Sequence, residues 1–397
     1  MRRLGHKYER FWIAVAASSL GDGLLVTGLP LLARETSKNP IVVAAVFAAS
    51  RVPFIFGLVL GAFVDRRDAR KVLIGSDLVR GVLLGLVGAF LFLSTNPLPV
   101  WVLLLLSLVL STGSAIFFSA TQRVVPYLVE AKDFDQANSQ IQTTIITGEQ
   151  FIGPPLGAIF LSGGKIPIVG DALSFAASAA ILSRLDPIPA APSGSSLASD
   201  VRIGWAWFRN SVPIQTLTAV TSIMTCLTAA VLATEVVLIQ DTLGLSKIWF
   251  GAFTAVMAAG SVVGGIFATR FINLFGTSTY AIGIVLNGLS YLACFGTRSW
   301  FVVFAAMFVQ QAVTMVGLVA SLGIRQRMIP ADFRGRVISL TRAIAFSIQI
   351  PSALLAGYVA KRFGTDPIFG VCGALLVFTG VLTARRITAL LDIHDPR

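Results

Sequence analysis

Apolar runs of about 20 residues, long enough for a helix to cross a hydrocarbon core, recur along the chain. Twelve are read, at 11–33, 40–64, 72–94, 100–122, 138–161 and 166–182, then 211–240, 247–269, 279–297, 300–324, 337–360 and 367–384. A membrane barrel would instead read as alternating segments of about 10 residues. The pattern therefore predicts an all-α integral membrane protein with twelve transmembrane helices. A shift of 204 residues lays Gly61-Ala62-Phe63-Val64-Asp65-Arg66 on Gly265-Ile266-Phe267-Ala268-Thr269-Arg270, and in the same register Gln122-Arg123-Val124-Val125-Pro126 on Gln326-Arg327-Met328-Ile329-Pro330. Two matches in one register, each at the same end of an equivalent span, predict two six-helix pseudo-repeats in parallel, 1–182 and 211–397.

The connection 183–210 opens with Pro187, Pro189, Pro192 and the run Ser193-Gly194-Ser195-Ser196, the composition of a flexible linker. The stretch from Leu197 to Asn210 then sets Val201, Trp205 and Phe208 near one helical face, with Asp200, Arg202 and Arg209 elsewhere. That spacing predicts a short interfacial amphipathic helix.

Composition agrees with the runs: 55% of the 397 residues are apolar and 13% are charged, against about 25% charged in a soluble domain. The net charge of +12 does not point to nucleic acid, because the basic residues cluster in short loops. Twenty-one Lys and Arg fall in the segments on the side of the termini and 7 in the opposite loops, which predicts a multi-pass protein with both termini cytoplasmic. The basic start (Arg2, Arg3, Lys7, Arg10) leads into an apolar run without a small-residue cleavage site, so the first span is expected to stay. Cys226, Cys294 and Cys372 lie inside spans and define no disulfide framework. His6 and His394 stand at opposite termini and no Cys/His metal spacing occurs, so no metal, no cofactor and no enzyme is expected. A phosphate-cradling G-x-x-x-x-G-K-S/T loop is also absent, which argues against a nucleotide-driven pump.

The loop after the second span reads Gly61-Ala62-Phe63-Val64-Asp65-Arg66-Arg67-Asp68-Ala69-Arg70-Lys71. It resembles the major facilitator superfamily signature G-x-x-x-D-R-x-G-R-R/K, with Asp68 where Gly is usual and Ala69 where Arg is usual. Further pieces are Gly21-Asp22-Gly23, Ser76-Asp77-Leu78-Val79-Arg80, Val125-Pro126 with Ala137-Asn138, Gly153-Pro154-Pro155-Leu156-Gly157 and Arg334-Gly335-Arg336-Val337. As a set they resemble the drug-efflux branch that includes macrolide and enterobactin exporters, over nearly the whole chain. The resemblance implies the major facilitator fold, a single chain in a prokaryotic plasma membrane, and export of a small amphiphilic compound by proton antiport. It also implies a cytoplasmic gate built from Gly61, Asp65, Arg66, Arg70, Lys71, Asp77, Arg80, Arg334, Gly335 and Arg336, with the loop latching against the start of the eleventh span. Small-metabolite import and a membrane-embedded enzyme are the alternatives.

Physical chemistry bears on the same residues. Asp77 and Arg80, at i and i+3, share a helix face and are expected to form a structural ion pair beside the gate. Arg342, near a helix end, can snorkel. A charge at the centre of a span costs about 3 kcal/mol in insertion assays and usually faces a cavity or a partner. Asp22 lies about 16 Å along the first span and Arg51 about as deep in the second, with Glu149 similar in the fifth. Arg51 is therefore expected to pair with Asp22, and proton exchange through Asp22 or Glu149 to couple transport, since no histidine lies in a span. Asp171 and Glu235 fall nearer the external ends and are expected to be hydrated. The fourth span, 100–122, carries no charge, although many proton-coupled relatives have an arginine there.

Overall fold

A computed structural model describes residues 4–94, 98–154, 156–157, 166–190 and 197–392; Asn96, Pro155, Pro192 and the serine run 193–196 lie outside them. The described residues are helical over most of each predicted apolar run, with breaks at Phe56 and at Ala233–Thr234. α1 (His6–Thr36) is followed by α2 (Pro40–Ile55) and α3 (Gly57–Asp65), which share one expected span. The break falls at Phe56 (φ −90°, ψ 18°). Pro53, which lacks a backbone donor, and Gly57, with its high backbone entropy, flank it and weaken the helix there.

α4 (Ala69–Leu93), α5 (Val100–Leu128) and α6 (Phe134–Ile146) come next, and α6 runs on into wider π-type turns over Thr147–Ile152. α7 (Ile166–Leu182) precedes the connection, and α8 (Leu197–Arg209) is the helix expected within it. Beyond it are α9 (Val212–Leu232), the short α10 (Glu235–Val237) continued by π turns at Leu238–Thr242, α11 (Lys247–Phe275), α12 (Thr279–Cys294), α13 (Trp300–Met328), α14 (Ala331–Phe363) and α15 (Asp366–Asp392). Among the described residues eight segments are long and apolar enough to cross a membrane, and the pair α2–α3 makes a ninth. Shorter apolar helices, Ile168–Leu182 and Thr279–Cys294, stand where the sixth and ninth spans are expected. α6 with its π turns takes the position of the fifth.

Contacts divide the chain into two compact units, Met1–Thr36 with Phe56–Leu197 and Ser37–Ile55 with Ala198–Arg397. The division falls inside the expected second span, so α2 belongs to the second unit and α3 to the first. In the first unit, Tyr8, Phe11, Ala14 and Val15 of α1 pack with Leu73, Phe117, Val124, Ile141 and Leu182 in one apolar core. The Tyr8 hydroxyl donates to the Ala137 carbonyl at 2.9 Å. In the second unit, α2 packs along α14, with Ala44, Ala48, Ala233 and Ala353 buried together.

The connection is less free than its prolines predict. Leu185 and Ile188 are buried in the first unit's core. Asp68 caps α4 by accepting from the amides of Arg70 (2.9 Å) and Lys71 (3.4 Å), and the same Oδ1 accepts from the Ile188 amide at 3.2 Å. The Ala69 amide donates to the Ile188 carbonyl at 3.1 Å, Arg70 donates to the Ser183 carbonyl, and Lys7 pairs with Asp186 at 2.5 Å. Residues 183–190 thus form a strap on the first unit, held by backbone hydrogen bonds that composition does not report. α8 lies in the second unit apart from its first residue, and there Trp207 stacks on Phe333 at 6.3 Å while Val201 and Trp205 face outward. Phe208, on the apolar face that the spacing sets, packs with Trp207 against Ile214, Ile329 and Val337.

Candidate functional site

The first unit holds a buried ion cluster around Arg80. α4 starts at Ala69, three residues before the apolar run, which puts Arg80 about 16 Å from its start, level with Asp22. Nη1 of Arg80 donates to both carboxylate oxygens of Asp22, at 2.8 and 2.9 Å, and to Ser114 Oγ at 3.3 Å. Nη2 donates to Asp77 Oδ1 at 2.5 Å and to Ser18 Oγ at 3.0 Å. Ser114 in turn donates to Asp22 at 2.6 Å and Ser18 to Asp77 at 3.2 Å. The guanidinium also lies over the Phe175 ring, 4.2 Å from its centroid. Two carboxylates and two hydroxyls thus saturate one cation in a low-dielectric interior.

Burial divides the cluster. The side chains of Arg80 and Asp77 are fully buried, whereas that of Asp22 is 12% exposed. Asp22, with the half-buried Ser114 beside it, is thus where the cluster meets the outside. Small residues make the site possible: a Cβ on Gly113 would stand 2.6 Å from Arg80 Cδ. The π turns after α6 press against α1 at the same level, where a Cβ on Gly153 would fall 2.4 Å from Gly23 Cα. Thr27 seals this contact by donating to the Pro154 carbonyl at 3.0 Å.

Two more carboxyls surround the cluster. Glu149, on the π turns, lies in electrostatic contact with Asp22 and Arg80. Asp171 of α7 is 1% exposed, packs against the backbone of Gly21, accepts from Ser174 at 3.3 Å and feels the same two charges. Four carboxyls therefore stand around one guanidinium.

Several expectations change. Arg51 is not the partner of Asp22: that carboxylate is taken by Arg80, while Arg51 belongs to the second unit and sets its guanidinium 4.5 Å from the Phe47 ring. Depth along a helix is legible in sequence, but the direction in which a side chain leaves the helix is not. Asp171 and Glu235 are not hydrated; they are 1% and 6% exposed. The Asp77–Arg80 pair forms as its spacing predicts, and it is joined to Asp22 in one network.

The loop residues stay at the unit's basic end. Asp65, Arg66 and Lys71 are exposed, and a Cβ on Gly61 would meet nothing. Arg67 covers the Phe63 ring at 3.7 Å. Arg123, met above only as part of the repeat, ties this end together by donating to the carbonyls of Val64 and Arg67, both at 2.8 Å, and to that of Pro189. In the second unit Arg336 packs against Gly204 of α8; the side chains of Arg334 and Gln326 lie outside the described residues. Cys226, Cys294 and Cys372 are free thiols.

Two solved structures share this fold. A nucleoside transporter, NupG, superposes with a TM-score of 0.73 at 15% identity, covering 98% of this chain and all of that one. A bacterial homologue of the human lysosomal transporter Spinster, in an inward-facing and occupied conformation, gives 0.74 at 13% identity over 98% of this chain and 96% of that one. The fold is that of the major facilitator transporters, twelve spans in two six-helix repeats. Within that class the match is to the model described as transmembrane secretion effector, over residues 5–393, and the chain belongs to that family. Among its relatives, macrolide efflux protein A of Streptococcus pyogenes is 23% identical over 395 residues, 95% of each chain. A protein named as a bacilysin exporter in Bacillus subtilis is 28% identical over 188 residues, 47% of this chain and 46% of that one. The protein is a multi-pass membrane transporter for a small molecule, not an enzyme.

Proposed function

We propose that the protein is a proton-coupled exporter of a small amphiphilic compound, working as a single chain in a bacterial plasma membrane with both termini in the cytoplasm. The observation that carries this reading is the Asp22 carboxylate, shared between Arg80 and Ser114 and partly exposed at the edge of the buried cluster. Four carboxyls around one guanidinium form a set that exchanges protons, because like charges this close in a low dielectric cannot all persist together. A proton taken up by Asp22 removes the negative half of its bond with Arg80. Arg80 then keeps Asp77, and the contact between α1 and α4 loosens. Release of the proton restores the pair. Glu149 is the second carrier, since it sits on π turns that rest on α1 through glycine contacts. Outward direction is supported by the names of two relatives, an efflux protein and an exporter.

Asp65, Arg66, Arg70 and Lys71 in the first unit and Arg334, Gly335 and Arg336 in the second are proposed as gating residues of the cycle. Arg51 is left as a candidate cavity residue of the second unit.

Flux of a radiolabelled macrolide in everted vesicles, with and without a proton gradient, tests the reading. Asp22→Asn is expected to abolish gradient-driven uptake into the vesicles while substrate exchange stays measurable, because exchange needs reorientation of the site but no net proton release. If Asp22→Asn keeps gradient-driven transport and Glu149→Gln loses it, the coupling role passes to Glu149. If both keep it, the mechanism is wrong.

A further inference from the structure

The second unit contains a buried cation that no carboxylate answers. Arg325 stands in the last turn of α13, where an arginine ordinarily reaches out to water. Side chains lean towards the N-terminus of their helix, so this one is directed back along α13, and it is 9% exposed. Its Nη2 donates to Thr221 Oγ1 of α9 at 3.2 Å and its Nε is buried without a partner. No ion pair reaches it among the described residues. Thr221 has nothing more to offer. Its hydroxyl donates to the Leu217 carbonyl at 2.7 Å and lies 2.9 Å from the Tyr280 hydroxyl of α12, which is then the donor of that pair. The one proton and two lone pairs of a threonine hydroxyl are thereby used.

The contrast with Arg80 is direct. There two carboxylates and two hydroxyls meet one guanidinium; here a single hydroxyl meets a single N–H. An arginine does not escape burial by losing its proton, so a charge left in this way calls for an anion from outside the chain. In the 204-residue register Arg325 falls on Thr121, so the cation is no part of a framework common to both repeats. Arg342 of α14 lies in electrostatic contact and adds a second positive charge. The half-buried Thr221 and the exposed Arg342 leave the site an open side. A metal ion or an ammonium group is repelled there, and water answers an N–H without answering the charge. An oxyanion answers both, because its oxygens match the planar fork of a guanidinium. We propose that Arg325, held in place by Thr221 and Tyr280, is a binding site for an oxyanion, a carboxylate or phosphate group carried by an amphiphilic cargo or by a lipid. Delivery by cargo rests on the transport reading above; oxyanion binding itself does not.

The test uses the full chain, purified in a neutral detergent, and follows its melting midpoint against the concentration of phenyl phosphate. Phenyltrimethylammonium and chloride at matched ionic strength are the controls. Phenyl phosphate is expected to raise the midpoint saturably, and neither control is. Arg325→Gln is expected to weaken the apparent affinity by about tenfold or more, the scale of a lost hydrogen bond to a charged group. Arg325→Lys, which keeps the charge without the planar fork, is expected to weaken it less, and Arg298→Gln, at an exposed arginine elsewhere in the unit, not at all. A second arm titrates phosphatidylglycerol against phosphatidylcholine and counts bound lipid by native mass spectrometry. A phosphatidylglycerol preference that Arg325→Gln removes, without any effect of phenyl phosphate, assigns the oxyanion to a lipid headgroup. The phenyl phosphate effect alone assigns it to a soluble amphiphile, as cargo would be, and both effects together assign it to both. If neither ligand acts on the wild type, or if whichever acts does so equally on Arg325→Gln, the proposal is overturned. Should Arg325→Gln fail to fold, Arg325→Lys takes its place, and an unchanged affinity there overturns it as well. None of these readouts uses a proton gradient, so a failure of proton-driven export in vesicles and a failure of this site are told apart.

Discussion

Arg80 is held by four side-chain partners and one backbone carbonyl, and every one of them loses its counterpart if the guanidinium is removed. Breaking a buried pair by deleting one partner costs about 3–5 kcal/mol, because the stranded charge stays buried. Arg80→Met is therefore expected to lower the melting temperature in detergent sharply. Adding Asp22→Asn to it should cost less than the sum of the two single changes, since both act on one network; full additivity would mean that the two residues do not share it. A separate expectation concerns Gly113. A methyl group there meets Arg80 Cδ at 2.6 Å, so Gly113→Ala should cost about 1–3 kcal/mol as overpacking does and should lower gradient-driven transport by displacing the guanidinium from Asp22. Unchanged melting and unchanged flux in Gly113→Ala would show that the cavity yields without effect.

At the level of elements, the start of α4 and the strap 183–190 are one construction. Asp68 stands where the superfamily signature has Gly, and it accepts from three amides, two in its own helix and one at Ile188. Asp68→Ala is expected to cost about 0.5–2 kcal/mol, the range for a lost N-cap, and to speed hydrogen exchange at the Ile188 amide. An Ile188 amide that exchanges at the wild-type rate in this variant would separate the strap from the cap. The Lys7–Asp186 pair adds little, because both side chains are exposed, 69% and 73%. Lys7 holds the Asp186 carboxyl below its ordinary value through a hydrogen bond and its charge. A carboxyl lowered in this way contributes above its unfolded value, about 3.9, and loses that contribution as pH falls through the folded value. Exchange at Leu185 and Ile188, corrected for its intrinsic pH dependence, should accordingly rise slightly below about pH 4 and more readily at high salt.

For the whole molecule, the bias of basic residues towards one set of loops predicts orientation. A cysteine at Ala190, introduced after replacing Cys226, Cys294 and Cys372, should react with an impermeant reagent only from the cytoplasmic side, and one at Ser246 only from outside. Reaction of the Ala190 cysteine in intact cells would reverse the topology. The two repeats have also diverged in chemistry. In the 204-residue register Asp22, Asp77 and Arg80 correspond to Cys226, Ala281 and Ile284, so the charges of the ion cluster are not repeated at those positions of the second half.

Hydrophobic length and charge placement were enough to read from sequence the helical membrane class, the repeat and the depth of Asp22 and Glu149, because a bilayer demands about 20 apolar residues per span and penalises buried charge whatever the partners. The Asp77–Arg80 pair was legible for a similar reason: helix geometry alone brings i and i+3 together. The partner of Asp22 was not, since pairing across helices depends on which way each side chain leaves its helix and on space left by a glycine such as Gly113 on a third helix. Nor could sequence find the burial of Asp171 and Glu235, because distance along a span says nothing of which neighbours cover it. The strap at 183–190 escaped composition too: its hold comes from backbone amides and carbonyls, which every residue carries alike, and only the folded first unit decided which of them would meet.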